Sequence, residues 1–345
     1  MPFSAPGTCL QKNSSTLSDI NTQNTAQEQP GENRWLVIVN PNAGKQKGEK
    51  DWPVISNLLT EAGFEFKHLF TESRGHAMTL AEEHIREGFQ KIIVVGGDGT
   101  LNEVVNGIFR QDRFPTTSIT LGMIMVGTGN DWGRMYNLKH KYHKAVKILK
   151  KQRLFIQDAG MVKYYDGGKE MVRYFVNIAG LGYDALVAQM TNQMKDRGKG
   201  GTMSYLINLL KGLFRYNHAF LDVEIDGKRV YKGKVFSMSV GICKYNGGGM
   251  MQLPFAVPDD GMLDVTIFKN VTKMRVVRNL NKLYSGTFTT LPFVQTHKGR
   301  MVSITSSTRN QSNLETDGES LGHSPFVFSI LPKSVKIITG KNWNI

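Results

Sequence analysis

The stretch IIVVGGDGTLNE, Ile92 to Glu103, constrains the fold of this chain more than any other. Four branched apolar residues, Ile92 to Val95, predict a short strand buried on both faces, and the glycines after them force a turn. Leu101, Val104, Val105 and Ile108 recur at the spacing of one buried helical face, so strand, glycine-rich turn and helix follow in succession. That order is how backbones grip phosphate. Gly96, Gly97 and Gly99 lack a Cβ, so a phosphate can approach closely, and amides at the helix start direct the positive end of a dipole at it. Asp98 is the anomaly. A carboxylate among phosphate-cradling amides repels the ligand unless a metal ion or a transferable proton lies between them, which points to chemistry. A plain turn whose aspartate caps the helix is the competing reading of this stretch alone.

The strand, turn and helix recur on either side. Trp35 to Val39 predicts a strand that runs into the turn Asn40, Pro41, Asn42, Ala43, Gly44, followed by Lys45 and Lys47. Trp52, Ile55, Leu58, Leu59 and Ala62 make a helical face, and Phe64 to Phe70 returns as a strand with Thr71 at its C-terminal end. Ala77 to Ile85 predicts a helix before the organising stretch, and Leu121 to Val126 a strand that runs into GTGNDWGR, Gly127 to Arg134. Loops at the carboxyl ends of parallel strands converge on one crevice, so a nucleotide there could touch them all. Tyr142 to Lys151 predicts the last helix of this lobe, with a boundary near residue 152.

Beyond it the pattern turns mainly to strands: Tyr174 to Ile178, Phe220 to Ile225, Lys234 to Ile242, and finally Phe326 to Leu331 and Val335 to Ile338, the terminus expected to return to the first lobe. A helix over Met203 to Phe214, with an apolar stripe and Lys195, Arg197 and Lys199 before it, suits either a lipid surface or packing on its own β domain. The acids in PDDGMLD, Pro258 to Asp264, read by spacing as a hairpin turn rather than a cation loop, and Glu315 to Glu319 reads as a hairpin tip.

Length allows two cores in 345 residues, after a tail over residues 1–33 rich in Ser, Thr, Asn and Gln that predicts disorder. Two cysteines, Cys9 and Cys243, exclude a disulfide scaffold, and no run approaches a membrane-spanning length, which makes the cytoplasm the expected location. A net charge of +14 suits an anionic membrane surface or nucleic acid. Without zinc-finger spacing, an arginine-rich tail or an aromatic-basic run, nucleic acid is the weaker reading and no nucleic-acid partner is expected.

Taken together, NPNAG at Asn40 to Gly44, GGDGTLNEV from Gly96, GTGNDWGR, NIAGLGYDA at Asn177 to Ala185, PDDGMLDV and TDGE at Thr316 to Glu319 resemble the diacylglycerol kinase catalytic-domain family, in order and spacing. The resemblance covers nearly everything after the tail. It implies an α/β nucleotide-binding lobe, Rossmann-like or phosphofructokinase-like, over 34–152 and joined by 332–345, with a β-sandwich lipid-substrate lobe over 153–331. It implies an ATP-dependent, magnesium-using lipid kinase that works peripherally at a membrane on a diacylglycerol or sphingoid-base type of lipid.

By that resemblance ATP would be contacted by Asn40, Pro41, Asn42, Ala43, Gly44, Thr71, Gly97, Asp98, Gly99, Thr100, Leu101, Asn102, Glu103 and Thr128. Val257, Asp260 and Met262 would form a structural magnesium site, with only Asp260 contributing a side chain. Bacterial members place the catalytic base in the DGE segment, here Asp317 or Glu319, and the sphingosine-kinase branch places it at the position of Asp98. The expectation adopted is the TDGE pair as proton acceptor, with Asp98 holding the catalytic Mg²⁺ or organising the acceptor. Ser320 stands where many relatives have proline. The rivals are a kinase of a soluble nucleotide or sugar, which leaves GTGNDWGR and TDGE without a role, and an inert lipid-binding module, which does not need the acids. The sequence leaves the oligomeric state open.

Overall fold

The computed structural model describes residues 33–127, 129–196, 212–213, 216–306 and 313–343. In chain order the first elements are β1 (Trp35–Val39), α1 (Ala43–Lys50), α2 (Trp52–Glu61), β2 (Phe66–Phe70), α3 (His76–Glu87), β3 (Lys91–Gly96), α4 (Asp98–Arg110), β4 (Thr120–Met125), α5 (Asp131–Met135) and α6 (Tyr142–Lys151). Strands β2, β1, β3 and β4 lie side by side and parallel. Alternation along β1 explains the layers: Leu36 and Ile38 face a core shared with α3 and α4, while Trp35, Val37 and Val39 face one shared with α2 and α6. Both faces are covered, which is why these strands read as unbroken apolar runs.

The second half contains β5 (Leu154–Asp166), β6 (Lys169–Phe175), β7 (Ile178–Gly182), α7 (Tyr183–Asp196), β8 (Ala219–Ile225), β9 (Lys228–Gly241) and β10 (Leu263–Lys269). After these come α8 (Lys273–Arg278), α9 (Leu280–Ser285), β11 (Val294–Gly299), β12 (Met301–Ser306), β13 (Asn313–Thr316) and β14 (Glu319–Ile338). Pairing among β5 to β13 is antiparallel. Strand β14 joins the halves: it is antiparallel to β5, β12 and β13, and its last residues, Lys336 and Ile337, lie parallel to Thr120 and Leu121 of β4.

Two strand expectations change. The run Tyr174 to Ile178 is split between β6 and β7, because the amides of Val176, Asn177 and Ile178 turn together toward one carboxylate, that of Asp317. Phe326 to Leu331 and Val335 to Ile338 form one strand whose register slips between Leu331 and Val335, where the Lys333 amide bonds the buried Asp158. The helix expected over 203–214 lies outside the described residues, apart from Gly212 and Leu213. The tail is also outside them.

Candidate active site

The carboxyl ends of the four parallel strands open into one cavity of about 1220 Å³. From β1 come Asn40, Asn42, Ala43 and Gly44; from β2, Thr71 and Arg74; from β3, Gly97 to Thr100; and from β4, Gly127, Gly129, Asn130 and Asp131. Asn40 ties the first loop to the third by donating from Nδ2 to Thr100 Oγ1 at 2.9 Å. Gly44 has no substitute: its φ is +61°, and a Cβ there would stand 2.1 Å from the Val126 carbonyl oxygen. The next residues, Lys45 and Gln46, are also left-handed, and this brings them to the cavity wall.

Asp98 begins α4, and its carboxylate caps α5 by accepting the Asp131 amide at 3.0 Å and the Trp132 amide at 3.4 Å. Burial, with the nearby Asp131 charge, pushes its pKa up to about 7, against the pull of those two amides. Asp131 is buried; its Oδ2 accepts the Gly248 amide at 2.7 Å, and burial raises its pKa too. Asp131 Oδ1 has no hydrogen-bond partner and only a loose 3.6 Å ion pair with Arg134. Two carboxylates side by side, one with an orphaned buried oxygen, form a donor set that suits a divalent cation beside a phosphate.

The TDGE segment crosses to this loop as a two-residue hairpin. Asp317 and Gly318 both have positive φ, 49° and 86°, as the favoured hairpin turn requires. Asp317 is buried and fully engaged: Oδ2 accepts Asn102 Nδ2 at 2.8 Å and the Val176 amide at 3.1 Å, and Oδ1 accepts the amides of Asn177 and Ile178 at 3.1 Å each. Burial raises its pKa against the pull of those donors. With four donors on its two oxygens it positions the hairpin. Glu319 is different. Among the described residues its carboxylate pairs with the Arg74 guanidinium alone, and its Oε1 lies 2.8 Å from where a Cβ on Gly99 would stand, so it hangs over the phosphate loop.

Three residues expected at the nucleotide lie elsewhere. Pro41, Leu101 and Asn102 do not line the cavity. Leu101 sits on the core face of α4 and Asn102 serves Asp317, because successive helical residues point about 100° apart. Glu103 reaches the wall but spends both oxygens capping α3, on the amides of Gly75 at 2.8 Å and Ala77 at 3.1 Å. Thr128 is outside the described residues.

The loop expected to form a structural magnesium site carries an ion pair. Asp260 Oδ1 accepts the Met262 amide at 3.0 Å, and Oδ2 holds Lys298 Nζ at 2.9 Å. The same ammonium lies 3.2 Å from Asp264 Oδ2. Lys298 thus places a positive charge beside the Val257 to Met262 loop. Among the described residues no group of three or more His, Cys, Asp or Glu side chains could hold a metal ion.

The far wall of the cavity is apolar, built from Val187, Leu213, Phe268, Leu283, Phe288 and Phe293. Between it and the phosphate loops runs a polar belt that motif spacing did not single out. Glu315 accepts the Gly318 amide at 2.9 Å and Asn246 Nδ2 at 3.1 Å, Asp184 accepts Ser237 Oγ at 2.6 Å, and buried Asn177 Oδ1 has no partner. Burial pushes Glu315 up to about 8 and Asp184 up to about 6. Asp131 and Asp184 stand within the recognised blocks and Arg74 three residues past Thr71, but only folding shows that they face the cavity.

A crevice of phosphate-binding loops that opens into an apolar chamber defines a class: a two-part α/β and β-sandwich kinase with room for a nucleotide and a fatty acceptor. Residues 34–162 match the diacylglycerol kinase catalytic domain, and residues 177–339 match the YegS C-terminal NAD kinase beta sandwich-like domain. The chain belongs to the diacylglycerol kinase family and is a lipid kinase. It is 30% identical over 309 residues to a diacylglycerol kinase of Staphylococcus carnosus (strain TM300), covering 90% of this chain and 96% of that one. It is 31% identical over 308 residues to one of Staphylococcus haemolyticus (strain JCSC1435), covering 89% and 88%. The crystal structure of a diacylglycerol kinase from Bacillus anthracis str. Sterne superposes with a TM-score of 0.67 over 90% of this chain and 98% of that one; at 23% identity this speaks for the fold alone.

Proposed function

We propose that the chain transfers the γ-phosphoryl group of ATP to the hydroxyl of a membrane lipid of the diacylglycerol or sphingoid-base type, with Glu319 as the proton acceptor. One observation carries this reading: Gly97 to Thr100 and the apolar wall around Phe268, Phe288 and Phe293 line the same cavity. A volume of about 1220 Å³ is above the ~300–1,000 Å³ of an ordinary small-molecule pocket, as two ligands meeting end to end require. The Staphylococcus relatives carry the name diacylglycerol kinase, which makes diacylglycerol the first substrate to test.

Each residue has a task in that transfer. The amides that open α4 and the positive groups of Lys45, Arg74 and Arg134 face the phosphate end and neutralise charge there. Asp98 and Asp131 would hold a Mg²⁺ ion, whose chemistry is to draw charge off the terminal phosphate. The polar belt of Asn177, Asp184 and Glu315 receives the lipid head group, which leaves its hydroxyl between Glu319 and the phosphate loop. Glu319 then takes the hydroxyl proton as the oxygen attacks, a role its single partner, Arg74, leaves open.

The test is transfer of label from γ-labelled ATP, with the full chain and a panel of lipids in mixed micelles. Label in the organic phase is expected with diacylglycerol or a sphingoid base. Label confined to the aqueous phase, or none with any lipid, overturns the assignment.

A further inference from the structure

The mouth of the apolar chamber carries a surface that the phosphoryl-transfer site does not use. Helices α8 and α9 wall the chamber through Val276, Asn279, Leu280 and Leu283. On the other side of α8, Met274 is 59% exposed and Val277 39%, while Tyr284, 50% exposed, stands at the chamber's edge and lines it. Met274 and Val277 are three apart in α8 and so share a face. Phe255, 55% exposed, extends the apolar patch from the neighbouring segment, which is tied to α9 by the Met251 amide on the Leu283 carbonyl at 2.7 Å. Large apolar side chains held in water at the rim of an apolar chamber mark an interaction surface.

Charge identifies what it meets. Between Asp264 and Glu315 the chain contains no aspartate or glutamate, while Lys269, Lys273, Arg275, Arg278 and Lys282 cluster around the rim. No carboxylate among the described residues forms an ion pair with Arg275, Arg278 or Lys282. Apolar tips flanked by unneutralised cations form a surface that inserts shallowly below the head groups of an anionic bilayer, and a bilayer is where the acceptor for this chamber resides. An acidic protein would satisfy the arginines but would have no need of the chamber opening between them.

We infer that α8 and α9 are the membrane-docking face of the protein, with Met274, Val277 and Phe255 entering the bilayer, Tyr284 at the chamber's edge, and Arg275, Arg278 and Lys282 binding anionic head groups. The chamber mouth is then pressed against the lipid, and the acceptor slides in without crossing water. This inference rests on the lipid-substrate reading of the cavity.

The test is co-sedimentation of the full chain with vesicles of phosphatidylcholine alone or with about a third phosphatidylglycerol, for the wild type, Arg275→Glu/Arg278→Glu and Met274→Asp/Val277→Asp. The wild type is expected to pellet with the anionic vesicles and to be released by about 0.5 M salt. Each double variant is expected to lose about tenfold or more in binding, since each basic residue near an anionic surface is worth a several-fold change. Unchanged melting temperatures establish that the variants are folded. A parallel assay with a water-soluble short-chain diacylglycerol separates the two readings, because turnover there needs the cavity but not a bilayer, and is expected to stay within about twofold in both variants. If the variants pellet like the wild type, or the wild type does not pellet, the docking face is wrong whatever the turnover. If no protein turns over any lipid, the kinase reading fails while the vesicle result still decides this one. Equal competition by a DNA duplex would point to a general polyanion surface and also overturn the proposal.

Discussion

Asn102 Nδ2 lies 2.8 Å from Asp317 Oδ2, joining residues 215 positions apart. The bond pins the TDGE hairpin to the helix that opens with the phosphate loop, and through it Glu319 is held above Gly99. Asn102 also accepts from Arg173 Nε at 2.9 Å and donates to the Tyr174 carbonyl at 3.0 Å, so this one side chain coordinates α4, β6 and the hairpin.

Asp317→Ala is therefore expected to cost stability before it costs chemistry. It strands three buried amides and the Asn102 side chain, each worth ~1–3 kcal/mol when left unpaired, so a loss of at least about 3 kcal/mol in urea unfolding is expected. An inactive variant with wild-type stability would return Asp317 to the role of proton acceptor.

Glu319→Gln should show the opposite pattern. With Arg74 as its partner and the cavity before it, its loss is expected to leave unfolding within about 0.5 kcal/mol of wild type. Turnover should fall by ~10²–10⁴, the usual share of a positioned base, with the KM for ATP nearly unchanged. Steady-state kinetics beside urea denaturation checks both halves, and near-normal turnover would exclude Glu319 as the acceptor of the proton.

What could be read from the chain beforehand follows one boundary. Contacts encoded within a dozen residues were legible: the strand, turn and helix of Lys91 to Arg110, the end of β1 at Asn40, and the helix at Tyr142 to Lys151 all stand where periodicity places them. Contacts that close over long separations were not. Asp317 looks like any hairpin aspartate until the amides of Val176 to Ile178, about 140 residues earlier, are seen to converge on it, and the same convergence breaks the strand expected across them. Asp260 matches a metal-binding pattern, but its cation is Lys298, 38 residues away on another strand. The polar belt was hidden because it draws single residues from the start of β7, from α7, β9 and β13: Asn177 and Asp184 stand in the NIAGLGYDA block, but only folding brings them beside Ser237 and Glu315.

Stability should fall as pH rises through neutrality, and Asp98 should be one cause. Its pKa lies near 7 in the folded protein against ~3.9 in an unfolded chain, so between those values the folded state holds a proton that the unfolded state has released. The stabilisation this represents is complete below about pH 4 and is lost as pH climbs to about 7. Glu315, near 8, extends the decline, and Asp184, near 6, acts within it. Urea midpoints at pH 5, 6, 7 and 8 are expected to decrease, and Asp98→Asn should flatten the curve by of order 1–3 kcal/mol over that range while abolishing turnover. Parallel curves for wild type and variant would mean that Asp98 is already ionised well below neutrality.

The loop at Asp260 should prove insensitive to chelators. Lys298 lies 2.9 Å from Asp260 Oδ2 and 3.2 Å from Asp264 Oδ2, and Asp264 is largely buried, its pKa pushed up to about 6 by desolvation against the pull of that ammonium. EDTA is therefore expected to leave the wild-type melting temperature unchanged. Lys298→Met leaves two facing carboxylates, one of them buried, with no positive partner; a loss of about 1–2 kcal/mol is expected, tempered by the partial exposure of the lysine and Asp260. Millimolar Mg²⁺ should restore part of that loss in the variant and add nothing to the wild type, because in the wild type the Lys298 ammonium already offsets the charge of the two carboxylates. A wild-type protein that melts several degrees lower in EDTA would show that the loop binds metal despite its lysine.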